Sequence, residues 1–275
     1  MKRILLFATA MLLVLSCANS PKKADSPKSL VIYYSQTGNT QAVAELIATN
    51  LGADIEAVVP VVPYDGDYAA TIERGRTELF GKAFPEIQPV AADLTKYDVV
   101  FIGYPVWFGA YAPPVETLLN TLDLAGKKVV PFCTFGSGGL DSSSKAIAEK
   151  LVNSEVLPGY GVRAARIDAI AAEVDRFLKE GGFMEGECEP LEAFSEVRPV
   201  TEEESAIFDE AVKDYPMISA KASEVACRVV PTGHEYLFTA IDQPRDPQFQ
   251  GEPKAMKVYV LVEEGKSPVF TQVCR

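Results

Sequence analysis

The chain has 275 residues, 48% hydrophobic and 23% charged, with a formal net charge of −12. That is the composition of a folded chain holding two domains or one large one, and so acidic a balance argues against nucleic acid or an anionic lipid surface as partner. The single histidine, His234, and five cysteines without metal-ligand spacing exclude a His-rich metal centre and a Ser-His-Asp arrangement in the first half of the chain.

At the N-terminus, Lys2 and Arg3 precede an apolar run over residues 4–15 that is short for a membrane span, which predicts an export signal over 1–16. Val14, Leu15 and Ser16 ahead of Cys17 look like a lipobox, the sequence at which bacteria cleave and diacylate a cysteine; ordinary signal cleavage is the alternative. Residues 17–28 are Ser/Pro/Lys-rich without an apolar period and read as a tether. The expectation is an exported protein lipid-anchored at Cys17, on a periplasm-facing membrane, with Lys2 and Arg3 removed and the charge at −14. Export implies an oxidising compartment, so Cys188, Cys227 and Cys274 are open to disulfide formation, while Cys133 sits in an apolar run and reads as a buried thiol.

From residue 29 to 181, short apolar runs alternate with amphipathic stretches. Strands are expected at 30–34, 53–59, 98–103, 128–134 and, more weakly, 154–163, and helices at 39–51, 68–80, 113–122, 142–151 and 168–180. Near-continuous Val/Ile/Phe strands separated by helices predict a doubly wound parallel sheet of five strands in the order 2-1-3-4-5. A Gly/Glu/Pro-rich segment at 182–199 reads as a linker. Thr201 then caps a helix with an acidic first turn, running to about residue 215, and four strands follow at 225–231, 236–241, 256–263 and 269–273, giving a small α+β domain over 200–275.

In a doubly wound sheet, ligands lie beyond the carboxyl ends of the strands at the switch point, so three loops matter most. The first is Ser35, Gln36, Thr37, Gly38, Asn39 and Thr40, between a strand and an amphipathic helix. Hydroxyls, an amide and a flexible glycine at a helix N-terminus suit a phosphate. The loop lacks the lysine of a triphosphate loop and the glycine triplet of a dinucleotide loop, so a terminal monophosphate without metal fits best. The second loop, 104–112, carries the only tryptophan, Trp107, beside Pro105, Phe108 and Gly109, and suits a flat aromatic ligand; packing beneath the next helix is the alternative. The third loop holds Thr134, Gly136, Ser137 and Gly138, where hydroxyls and backbone N–H groups can reach a ring edge.

Tyr34 to Thr40, Gly103 to Phe108, Pro113 to Val115 and Gly126 to Val129 together make residues 29–181 resemble the flavodoxin-like, FMN-binding family. The resemblance implies that Ser35, Gln36, Thr37, Gly38, Asn39 and Thr40 hold the FMN phosphate. It further implies that Pro105, Trp107, Phe108 and Gly109 line the isoalloxazine and that Thr134, Gly136, Ser137 and Gly138 meet its far edge. Only Phe135 is available there as a second stacking aromatic. The C-terminal helix and meander resemble a cystatin-like fold, with Gly233 to Tyr236 similar to its central hairpin and with Pro231 intruding where inhibitory members carry their motif. The expected activity is electron carriage by FMN between unnamed redox partners, with no catalytic side chain. An FMN-dependent quinone-type reductase and a binding module with little flavin are the alternatives.

Overall fold

The computed structural model describes residues 27–64, 67–243 and 252–274. The expected export signal, Cys17 and the tether up to residue 26 lie outside them. In chain order the first unit contains β1 (Ser29–Tyr33), α1 (Asn39–Leu51), β2 (Asp54–Ala57), α2 (Tyr68–Gly81), β3 (Val99–Trp107), β4 (Ala110–Tyr111), α3 (Pro113–Thr121), β5 (Lys128–Phe135), α4 (Leu140–Lys150), β6 (Glu155–Val156), β7 (Tyr160–Arg163) and α5 (Ile170–Glu180). The second contains β8 (Arg198–Pro199), α6 (Glu202–Val212), β9 (Ala220–Val230), β10 (Gly233–Asp242), β11 (Ala255–Glu263) and β12 (Val269–Cys274).

The first sheet runs β2-β1-β3-β5-β6, with all these pairs parallel, and β7 also pairs with β5. This is the expected five-strand order, the fifth strand being broken into β6 and β7 at Leu157, Pro158 and Gly159. Val31, Val99, Phe101 and Val130 pack on one face with Val43 and Ile47 of α1 and Val174 and Leu178 of α5. Ile32, Val100, Ile102 and Val129 pack on the other with Val115 and Leu118 of α3 and Ile147 of α4. Burial on both faces is why these strands are runs of apolar residues without alternation, and each such side chain contributes about 1.5–3 kcal/mol.

In the second unit β12-β11-β10-β9-β8 form an antiparallel sheet, with Phe208 and Val212 of α6 against Phe238, Val258 and Phe270. Thr201 caps α6 as expected, its hydroxyl accepting from Glu204 N while the Glu204 carboxylate accepts from Thr201 N, a reciprocal capping box.

Several expectations need correction. The segment 104–112 is not a loop: β3 continues to Trp107, because Pro105 and Tyr104 still pair with Thr134 and Cys133 of β5. The chain then turns through Phe108 and Gly109 alone into β4. Both turn residues have positive φ, 52° and 81°, the twist-matched form of a two-residue hairpin. The linker's last residues, Arg198 and Pro199, form edge strand β8 instead. Gly233 opens β10, and Pro231, expected at the end of a strand over 225–231, lies instead with Thr232 in the two-residue β9–β10 turn. Cys133, Cys188, Cys227 and Cys274 are free thiols, Cys133 fully buried as expected.

Candidate functional site

The three segments, the second now the β3–β4 hairpin, converge at the carboxyl ends of β1, β3 and β5. The first and third are joined by a hydrogen bond of 2.8 Å between the Thr40 and Thr134 hydroxyls, both buried. The second is joined to α4, directly after the third, where Ser142 Oγ donates to Gly109 O at 2.9 Å and the Tyr104 and Ser143 hydroxyls meet at 3.0 Å. First and second meet where Trp107 stands edge-on to Tyr34, ring centres 6.0 Å apart.

Within the first loop the six residues do different work. Ser35 Oγ accepts from Gly38 N at 3.1 Å and closes the turn. Gly38, at φ 89°, is the N-cap of α1 and no side chain caps that end, so the first N–H groups of the helix are left for an external acceptor. The hydroxyl of Thr37 and the amide of Asn39 have no hydrogen-bond partner among the described residues. Gln36, by contrast, points into the protein: it accepts from Tyr34 Oη at 2.5 Å and donates to Tyr64 O at 2.9 Å. The buried Thr40 hydroxyl is held by Thr134. Free donors therefore come from the backbone, Thr37 and Asn39, with the helix dipole behind them.

Trp107 is half-buried in a wall absent from the sequence expectations. Its ring packs on Gly75 of α2 and stands edge-on to Tyr64 at 5.1 Å. Tyr64 is held by Glu78, which accepts its hydroxyl, and by the Arg74 guanidinium 3.9 Å over its ring. Arg74 also donates to Glu78 at 2.8 Å and to Pro63 O at 2.7 Å. Burial pushes the Tyr34 and Tyr64 hydroxyls upward, the bond to Glu78 adding to the effect at Tyr64, so both rings stay neutral and put no charge beside the anion site. A half-open cavity of about 330 Å³ lies between Ser35, Gln36 and Gln41 on one side and Val58, Pro60, Pro63 and Tyr64 on the other. The loop after β2 was thus missed; its signal was Tyr64 among Pro60, Pro63 and the helix cap Asp67, a stiffened turn carrying an aromatic.

Phe108 projects from its turn, 46% exposed, with its ring 6.1 Å from that of exposed Phe80. Phe135, the only candidate for a second stacking aromatic, is 3% exposed and packs under Gly161 and Leu140, so it is core. The third loop is not free on its outer side. Ser137 O accepts from Val273 N at 2.6 Å, and a Cβ on Gly138 would fall 2.1 Å from Val273 O. The close approach that requires glycine at 138 is thus made by β12.

A family model described as flavodoxin matches residues 28–174. Among solved structures, a candidate flavoprotein from Bacteroides eggerthii is 28% identical at a TM-score of 0.50, covering 57% of this chain and 98% of its own. A flavoprotein in complex with FMN from Lactobacillus acidophilus is 28% identical at a TM-score of 0.46, covering 54% and 99%. The NAD(P)H dehydrogenase (quinone) of Cupriavidus metallidurans is 33% identical over 100 residues, 34% of this chain; the chain spans under half, 45%, of that relative. With more than half of its residues matched by the family model, and the sheet order and switch-point loops to go with it, the chain belongs to the flavodoxin family.

Proposed function

We propose that the protein binds FMN at the three convergent loops and carries electrons as a member of the flavodoxin family. The observation that carries this reading is the uncapped N-terminus of α1 at the switch point, with Thr37 and Asn39 unspent beside it. An anion there is stabilised by the helix N–H groups and dipole without any lysine or metal. The residues present fit the cofactor: Ser35, Thr37, Gly38 and Asn39 would hold the phosphate, and Trp107, Phe108, Gly136 and Ser137 would bound the ring. Bound FMN supplies the electron-accepting chemistry. The chain's own residues orient it, and the uncharged Tyr34 and Tyr64 rings stand behind Trp107.

The test is a titration of the purified chain with FMN and riboflavin. FMN should quench on binding with a Kd at least tenfold below that of riboflavin, which lacks the phosphate. Equal affinity for the two would refute the cradle.

A second reading, reduction of quinones by NAD(P)H, is favoured by the likeness to the Cupriavidus metallidurans enzyme. Oxidation of NAD(P)H on adding quinone to the FMN-loaded protein supports it, and no oxidation leaves electron carriage alone. Lipid anchoring at Cys17 in the cell envelope is part of the proposal, resting on the sequence around that residue.

A further inference from the structure

Beyond the flavin loops, the least expected feature is how the second unit is fastened to the first. Arg163, at the end of β7, is 9% exposed. Among the described residues no carboxylate pairs with it. Its Nε donates to Gly136 O at 2.9 Å and its Nη1 to Phe270 O at 2.7 Å, while the guanidinium lies 3.5 Å over the Phe270 ring. A buried cation is costly, and this one is satisfied by one carbonyl of the third loop, one carbonyl of β12 and a ring of β12. Beside it Val273 N donates to Ser137 O, and the Cys274 thiol donates weakly to Asp141 at 3.6 Å. Tyr215, packed on Phe270 at 5.1 Å, brings its hydroxyl to the outer side of Gly136, 3.3 Å from where a Cβ would stand. Gly136, Ser137 and Gly138 of the loop, and Asp141 in the first turn of α4, are thus each met by the second unit.

We propose that the C-terminal sheet is a clamp on the third flavin loop, with Arg163 as its pin, so that the second unit positions the ring-binding edge of the site. The inference rests on the FMN reading above. Its physical content is that a glycine-rich loop of Gly136, Ser137, Gly138 and Gly139 has high conformational entropy when free. Holding it by bonds to two of its carbonyls, Gly136 O and Ser137 O, and by the backbone approach at Gly138 removes that freedom before FMN arrives, and preorganised loops bind more tightly. Because linkage is reciprocal, FMN must in turn strengthen the grip of β12. Arg163 is a positioning residue that acts through the loop.

The test uses the full chain. Arg163→Met keeps the aliphatic stem but removes both donors and the cation over the Phe270 ring; Val273→Pro removes the N–H that bonds Ser137 O, together with a buried side chain of the second core. Both should raise the FMN Kd about tenfold and shift the reduction potential of bound FMN. The ratio of riboflavin to FMN affinity should stay unchanged, because the phosphate cradle is untouched, and Arg163→Lys should restore part of the loss. A further measurement needs no variant: amide exchange at Val273 in the wild-type chain should slow with FMN and not with inorganic phosphate. Wild-type protein that binds no FMN overturns the cofactor reading itself. Wild-type protein that binds FMN, with unchanged Val273 exchange or with folded variants of unaltered Kd and potential, overturns the clamp alone.

Discussion

Gly75→Ala sets two effects of opposite sign against each other at one atom. Gly75 lies inside α2, where replacing glycine by alanine ordinarily stabilises by about 1 kcal/mol. Here the added Cβ would lie 2.8 Å from Trp107 Cε3 and 3.0 Å from Cζ3. Carbon atoms rest at about 3.5–4.0 Å, so the indole must retreat by roughly 0.5–1 Å. It stands edge-on to Tyr34 and Tyr64, and Tyr64 is fixed by Arg74 and Glu78, so the ring has little room to give. Overpacking of this kind costs about 1–3 kcal/mol, which outweighs the helix gain. The expected result is a net loss of up to about 2 kcal/mol, a fall in Tm of several degrees at about 2–4 °C per kcal/mol, and weaker FMN binding from a displaced Trp107. Gly81→Ala, in the same helix with nothing within 4 Å of its Cβ, is the control and should be neutral or slightly stabilising. Thermal unfolding by circular dichroism and FMN titration measure both quantities. If Gly75→Ala matched Gly81→Ala in Tm and wild type in FMN affinity, Trp107 would be free to move and the wall built on it would not exist.

Two further outcomes follow from polar pairs, one buried and one part-exposed. Thr40→Val leaves the Thr134 hydroxyl buried without its 2.8 Å partner and should cost about 1–3 kcal/mol, whereas the double variant with Thr134→Val should recover much of it; a double-mutant cycle in urea reads this, and additive losses would deny the coupling. The Glu204 carboxylate, held by Arg198 and by the Thr201 backbone, is pulled down from 4.5 to about 2. A depressed carboxylate contributes stability that is fully present above its unfolded value of about 4.5 and is lost as pH falls through about 2. Glu204→Gln should therefore weaken the second unit at pH 7, with the deficit vanishing across that acid window; parallel acid-unfolding curves for the two proteins would contradict the assignment.

The sequence by itself determined whatever depends on short-range pattern. Helix α1 falls on residues 39–51, as its apolar spacing and the terminal Gly52 require, and Thr201 caps α6 because its hydroxyl and the Glu204 carboxylate, three residues apart, each satisfy one backbone donor locally. The apolar runs of β1, β3 and β5 announced a sheet buried on both faces, and that in turn placed the site at the switch point. Tertiary structure decided the rest, because the deciding partner lay far along the chain. Tyr104 to Trp107 extend a strand only because β5 offers Cys133 and Thr134 opposite. Gln36 faces inward because Tyr64, 28 residues on, supplies the acceptor. Gly138 has no side chain because Val273 occupies that space, and Arg163 is buried because two carbonyls 134 residues apart, at Gly136 and Phe270, converge on its guanidinium. Local propensity is written in a window of a few residues; a hydrogen bond across the fold is written only in the packing that closes it.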